Sequence, residues 1–468
     1  MKKILSIKQK DLVSGLSPYK NDSRFGLLYS ANGYSPSLFG GGIAFTKAPV
    51  NISSTVVVDS IRGFANYVDV LYAMGSNGHF YKITNLTNAT PTVVDLKSAG
   101  VLTTPAYGIT AFQTIVGGVK IYYFNNSTKI GQLAPATDTF SDSKYSLAIG
   151  HAGIAPVHVI YDRLFFGAQN YVSMLYDDLT NADPALSEQV FDIPKGEQVQ
   201  ALTDDGSYLI VAGTKGSNTT VETSIYFWEW KDSLASWSKS YNISDQIKSM
   251  KTSNGITYAI GARGLWAFSY GNYPVLLRED VKSTNPYTNT LGILKDSILI
   301  GQATSLYSYG KPNQFFPTSL LSLSTGYDGT ILSTNFNSQL NRGFVGTTGD
   351  KLYLVDYATQ KTASSDSIIT SYVDLGNKYD ISRIDLVFVD DLASGDSVAI
   401  VCRGSDGTTE GKDYVNGSTV SFTNNVAVKD ATSQMTPSLS TDSLSLELTI
   451  SGTCVIKRID IYGEPTNR

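Results

Sequence analysis

The sequence predicts an all-β chain: a seven-bladed β-propeller over residues 51–362, an extended N-terminal arm over 1–50 and a C-terminal β-sandwich over 366–468. Three observations predict it. A two-strand phrase recurs seven times, the composition favours strands and tight turns, and the pattern changes abruptly near both ends.

The phrase is a strand of alternating bulky residues, a small residue, a short turn, and a second strand rich in aromatics. ITYAIGARGLWAFSY (Ile256 to Tyr270) is one copy; VLYAMGSNGHFYKI (from Val70), KIYYFNNSTKIGQL (from Lys120) and RLFFGAQNYVSMLY (from Arg163) are others. YLIVAGTKG with SIYFWEW, ILIGQATSLYSYG and GFVGTTGDKLYLVD complete the series. The equivalent turn positions are Gly75, Asn125, Gly167, Gly213, Gly261, Gly301 and Gly346, spaced 40 to 50 residues apart. That is the period of a four-stranded propeller blade, with six and eight the neighbouring blade counts. Gly and Asn are expected there because they most easily take positive φ in a tight turn. Shorter runs before each copy, such as STVVVDSI (from Ser54), VQALTDD (from Val199) and QIKSMKTS (from Gln246), are expected to supply the remaining strands. DPALSEQVF (Asp183 to Phe191) is the one modest helix candidate.

Beyond residue 366 the strands lengthen and alternate more cleanly, as in Leu444, Leu446, Leu448 and Ile450 between Ser, Glu and Thr. Gly, Asp, Ser and Asn turns separate them at the spacing of a β-sandwich. The first 50 residues mix Gly, Pro, Ser and Asn with isolated aromatics Tyr19, Phe25, Tyr29, Tyr34 and Phe39, and no strand of useful length is expected before Ile43. Such spaced apolar anchors need a surface to lie on, either the chain's own propeller or a neighbour.

Residues 1–25 carry six basic against two acidic side chains, and residues 366–468 carry eight against fifteen. The stretch between is nearly neutral, so no broad basic surface for gripping nucleic acid is expected. MKKILSIKQKD lacks the apolar core of a signal peptide, and no run is long enough for a membrane anchor. Cys402 and Cys454 are read as buried thiols of a protein made in a reducing compartment.

Catalytic constellations are sparse. The sialidase-type S-x-D-x-G-x-T-W box is absent, and Trp228, Trp230, Trp237 and Trp266 are not spaced one per blade. The pairs Asp204-Asp205, Glu279-Asp280 and Asp390-Asp391 are adjacent residues that point apart, whereas glycoside hydrolysis needs two carboxylates facing each other. His79, His151 and His158 have no ligand spacing. Gly40-Gly41-Gly42 lacks the Lys-Ser/Thr of a nucleotide loop, and SDGTTEGKD (Ser405 to Asp413) misses the EF-hand spacing and reads as a hairpin loop. Tyr226, Phe227, Trp228 and Trp230 are read as blade packing rather than a glycan platform, because successive strand residues face opposite sides. No enzyme, cofactor or metal is expected.

The Phe39-Gly-Gly-Gly-Ile43 step, the weakly similar aromatic blades, the phrase ITSYVDLGNKYDISRIDLVFV and the closing IKRIDIYGEP together resemble β-propeller structural proteins of tailed-bacteriophage virions, of the tail-nozzle and tail-tip type. The resemblance spans nearly the whole chain and rests on layout and loose phrases. It implies a virion protein made in the host cytoplasm and assembled with itself, as a ring, and with other tail proteins. It also implies a place near the DNA-ejection channel or a fibre-docking platform, and no chemistry. The alternative is a propeller adhesin for host-surface glycan or a receptor. On the structural reading, Lys2, Lys3, Lys8 and Lys10, with Phe25, Tyr29, Tyr34 and Phe39, are the expected assembly contacts. Reversing the four lysines is then expected to impair assembly and leave the melting temperature unchanged.

Overall fold

A computed structural model describes residues 1–12, 15–16, 27–31, 43, 49–53, 56–97, 108–126, 128–150, 155–215, 221–231, 236–283, 289–294, 297–309, 320–325, 327–356, 367–393, 396–404, 419–423 and 430–466. Among them the chain is all-β apart from a single 3-10 turn, Gln9–Leu12. Seven four-stranded sheets follow one another, and a further, mainly antiparallel sheet gathers both chain ends.

Six of the four-stranded sheets are meanders and the seventh takes its outermost strand from before the first; in each, the second and third strands are the recurring phrase. The innermost strands are Ile61–Tyr67, Ile109–Thr114, Val157–Ile160, Glu197–Asp204, Ile247–Ser253, Leu291–Leu294 and Ile331–Asn337, in blades 1 to 7. Each touches the next, and the seventh touches the first, so the sheets close into a ring. Alternation drives the closure. In blade 4, Tyr226 and Trp228 join a cluster with Phe165 and Phe191 of blade 3, while Ile225 and Phe227 join one with Met250 and Phe268 of blade 5. Seven such apolar clusters exist among the described residues, one between each pair of neighbours. A blade alone leaves both faces wet; stacking buries them.

The ring is closed by sequence from its far end. Val50–Asn51 forms the outermost strand of blade 7, pairing with Leu354 and Tyr353. Buried Ser53 secures the joint by accepting the Leu352 amide at 2.7 Å. Polar ties also cross between blades. Asp183 of blade 3 accepts from Lys120, Gln132 and Lys144, on three strands of blade 2.

In the terminal sheet, Lys2–Lys8 pairs antiparallel with Ile456–Pro465, which pairs with Val373–Phe388. The 22-residue strand Asp430–Ser451 pairs through its first half with Val373–Phe388 and through its second with Ser397–Gly404. One apolar cluster collects both halves, including Ile384, Leu386, Ile400, Leu446, Leu448 and Ile461. Cys402 and Cys454 are free and buried there, and burial pushes both thiols up to about 12.

Two expectations are corrected. A strand of useful length does precede Ile43, since Lys2–Lys8 finds its partner at the opposite chain end. The helix candidate at Asp183 to Phe191 is instead the strand Ala185–Asp192, the outermost of blade 3. Its weak helical periodicity loses to the open edge of Tyr171–Tyr176. Of the run STVVVDSI only Ile61 lies in the inner strand, which continues through Tyr67.

Candidate functional site at the ring axis

The seven turn positions do not take the left-handed conformation expected of them; none is among the residues with positive φ. They sit in the second strand of each blade, and at the six glycines the backbone is approached too closely for a side chain. A Cβ at Gly261 would lie 2.2 Å from Asp245 Oδ2, and one at Gly75 would lie 2.1 Å from Asp59 Oδ2. In blade 4 the intruding carboxylate is Glu197, 2.5 Å from a Cβ at Gly213. Gly167, Gly301 and Gly346 instead meet the next blade's inner strand at Val199, Ile331 and Ile61. Asn125 keeps its side chain and donates to the Asp142 carbonyl at 3.0 Å.

These acids, Asp59 and Asp245 buried and Glu197 half-buried, organise the turns beneath them. Asp59 accepts from Ser76 Oγ at 2.5 Å and from the Asn77 amide at 2.6 Å. Asp245 accepts from the Arg263 amide at 3.0 Å and from Trp266 Nε1 at 2.8 Å. Glu197 accepts from Ser224 Oγ at 3.0 Å and the Tyr226 hydroxyl at 2.8 Å. Each acid precedes its glycine by 16 residues and opens the phrase acid-x-aliphatic-polar-small: Asp59-Ser-Ile-Arg-Gly63, Glu197-Gln-Val-Gln-Ala201 and Asp245-Gln-Ile-Lys-Ser249. That five-residue signal was legible and was missed.

The polar residue of each phrase is extra. The inner strand slips register across Arg62, Gln200 and Lys248, and across Leu332 in blade 7. A bulge of this kind re-aims a side chain. Gln200 and Lys248 are more than nine-tenths buried on their innermost strands. Burial pushes the Lys248 ammonium down to about 8, with Asp245 opposing. Further along the same strands His158 Nε2 lies 2.5 Å from Asp204 Oδ2 across the blade 3 to blade 4 interface. Burial works to raise the Asp204 carboxyl, but the bond to His158 and the charges around it hold it below the usual range. Burial pushes Lys251 down, Asp204 partly opposing. Chemically, the innermost strands carry buried and half-buried polar groups of both signs.

The expected contact residues are placed as follows. Lys2, Lys3 and Lys8 lie on the strand that ends the terminal sheet. Lys3 Nζ is 3.0 Å from Asp460, which also accepts from Ser6 at 2.6 Å and Arg458 at 2.8 Å. The basic start and the acidic end thus meet within one chain. Lys10 lies in the Gln9–Leu12 turn and Tyr29 in the strand Leu27–Ala31. The side chains of Lys10 and Tyr29, and Phe25, Tyr34 and Phe39 altogether, lie outside the described residues, as do His151 and residues 405–413.

His79 stacks on Tyr81 and reaches Asp95 at 2.7 Å. Asp205 caps its own turn through the Ser207 and Tyr208 amides, Asp280 pairs with Arg278, and Asp390 and Asp391 are exposed. Tyr226, Phe227, Trp228 and Trp230 are buried. Among the described residues no three His, Cys, Asp or Glu side chains form a group able to hold a metal ion.

Ring and terminal sheet define the class: an all-β protein of about seven four-stranded blades consistent with a propeller, plus a further antiparallel sheet. No protein-family model matches the chain, and no curated protein does. Among solved structures it is similar to the Neurospora crassa Pan2 WD40 domain, at 10% identity and TM-score 0.46, covering 66% of this chain and 94% of that one. It is likewise similar to the computationally designed Ika8 protein, at 10% identity and TM-score 0.41, covering 66% of this chain and 98% of that one.

Proposed function

We propose that this chain is a non-enzymatic structural protein of a tailed-bacteriophage virion, a seven-bladed β-propeller joined to a C-terminal β-sandwich, built into the tail as repeated copies. One observation carries the reading: both chain ends are fastened into one sheet, and the segments Gly15–Leu16 and Leu27–Ala31 of that sheet also touch the outer strand of blade 6, Leu320–Thr325. A body tied at its ends and across its two parts suits a building block that bears load. The layout resemblance at both ends of the sequence supplies the class of assembly. The nearly neutral stretch between the ends is compatible with a DNA passage, since tight phosphate binding would hinder transit.

The test is mass spectrometry and electron microscopy of purified tails raised against a tagged copy. Stoichiometric incorporation, with label on the tail, is the expected result; tails that form and infect without the chain would overturn it. A second reading, the glycan adhesin, has its own observation. Tyr208 and Tyr270 stack at 4.5 Å, beside a well-exposed Tyr273. Retention on host polysaccharide that is lost in Tyr273→Ala would favour it.

A further inference from the structure

One end of the ring is defined by interlocking turns. The first turn of a blade meets the third turn of the next: the Ile115 amide donates to Asp177 at 2.6 Å, Tyr161 lies 5.9 Å from Trp230, and Tyr208 stacks on Tyr270. Arg342 of blade 7 closes the series by donating to the Leu86 and Asn88 carbonyls of blade 1, at 2.7 and 2.6 Å.

The five most exposed large apolar side chains among the described residues all lie at this end: Val68 (78%), Tyr273 (76%), Ile115 (75%), Tyr161 (72%) and Leu179 (61%). Three of them also hold left-handed backbone, Val68 at φ 49°, Tyr161 at 51° and Leu179 at 65°. For a β-branched or bulky residue that conformation is strained, and Asn or Gly would relieve it while removing apolar surface from water. Tyr161 offsets part of this through its contact with Trp230, whereas among the described residues no aromatic-ring contact is seen for Val68 or Leu179. An acid adjoins each strained tip, namely Asp69, Asp162 and Asp178.

We infer that this end of the ring docks a second copy of the chain, through the lysine-bearing edge of that copy's terminal sheet. The acids at the tips are complementary to Lys2, Lys8, Lys378 and Lys457, exposed on the edge strand and the two strands that follow it, while Lys231 and Lys239 lie over the aromatic turns between. The terminal sheet touches its own ring at blade 6, whereas the strained tips belong to blades 1 and 3. The contact joins two different surfaces, so it propagates head to tail and closes only as a ring of copies. Apolar tips supply the buried area and the charges set register. The inference rests on the homo-oligomeric part of the proposed function.

Light scattering and sedimentation of the full chain, over a range of concentration and salt, test it. The wild type is expected at a multiple of 50.5 kDa, decreasing with salt. The triple variant Val68→Asn, Tyr161→Asn, Leu179→Asn is expected at the mass of one chain, as is Lys2→Glu with Lys8→Glu; the double variant Val68→Asn, Leu179→Asn, which keeps the Tyr161–Trp230 contact, is expected to weaken assembly with an equal or higher Tm. Mixing the triple variant with the lysine variant leaves one good face and one good edge, and a two-chain species is expected. A triple variant that assembles like the wild type overturns the inference while leaving self-assembly intact. A wild type that stays a single chain yet enters tails also overturns it and leaves the virion reading standing.

Discussion

The ring and the terminal sheet solve the same problem, an unpaired strand edge, in opposite ways. In the ring blades 1 to 6 are local meanders, each blade's faces are covered by its neighbours, and the strand that closes the circle, Val50–Asn51, is brought from just before blade 1 to blade 7. The terminal sheet instead joins residues from the two extremes of the chain, Lys3 with Tyr462 and Ile7 with Ile459. Its last strand carries exposed Lys2 and Lys8, the kind of charge that discourages indiscriminate edge pairing. Repetition makes one region legible and tolerant; the other depends on single long-range matches.

The comparison is broken most sharply at the close approaches of the ring. Gly261→Val puts a branched side chain where a Cβ alone meets the Asp245 carboxylate, and is expected to cost roughly 4 kcal/mol in denaturant unfolding. Gly271→Ala, with open space around it, is the control expected to be near neutral. Next comes the terminal sheet. Lys3→Glu faces a second carboxylate with Asp460, whose side chain is nearly buried, and is expected to lower stability by roughly 2 kcal/mol, a partly exposed Lys3 limiting the effect. For Lys3 the pair with Asp460 leads to an expected fall in melting temperature, where the sequence alone led to none.

Lys248 gives a pH signature. Its folded pKa, about 8, lies below that of an unfolded lysine, so the unfolded chain binds the extra proton and the destabilisation is fully present below pH 8. It fades as pH rises toward the unfolded value. Lys248→Met is expected to stabilise the protein at pH 7, by on the order of 3 kcal/mol, and its advantage over the wild type is expected to shrink between pH 8 and about 10.4. A constant gap in chemical unfolding across that range would contradict the assignment. The smallest effect is at the hairpin end, where Val68→Asn is expected to raise stability by about 0.5–1 kcal/mol through relief of its left-handed backbone.

Much of the ring was readable because its signals are local. Seven aromatic phrases at a blade-like period gave the second and third strands of every blade, and alternation at Tyr226 to Trp228 gave their packing. The reason for the glycines was not readable in the same way: Gly75, Gly213 and Gly261 leave space for Asp59, Glu197 and Asp245, the other three for the next blade's inner strand, and only the fold shows these groups lying on them. The strand Lys2–Lys8 was hidden for a different reason. KKILSIK is short and carries three lysines, and nothing near it reveals the partner it finds at Arg458 to Gly463. The axial residues Gln200 and Lys248 were invisible because a bulge is a property of a strand pair, not of one strand. The strained tips Val68, Tyr161 and Leu179 look like ordinary strand residues until the backbone is seen.

Ring closure by the segment before blade 1 is the claim on which the fold rests, and a cross-link tests it most directly. Asn51 and Tyr353 face each other across the closing pair, and both native thiols are buried and far down the chain at Cys402 and Cys454. The variant Asn51→Cys with Tyr353→Cys, oxidised mildly and run on a non-reducing gel after denaturation, is expected to give an intramolecular disulfide in nearly every chain, with a higher melting temperature than the same variant reduced. A double variant that keeps two reactive thiols while folded would contradict a ring closed at Val50–Asn51.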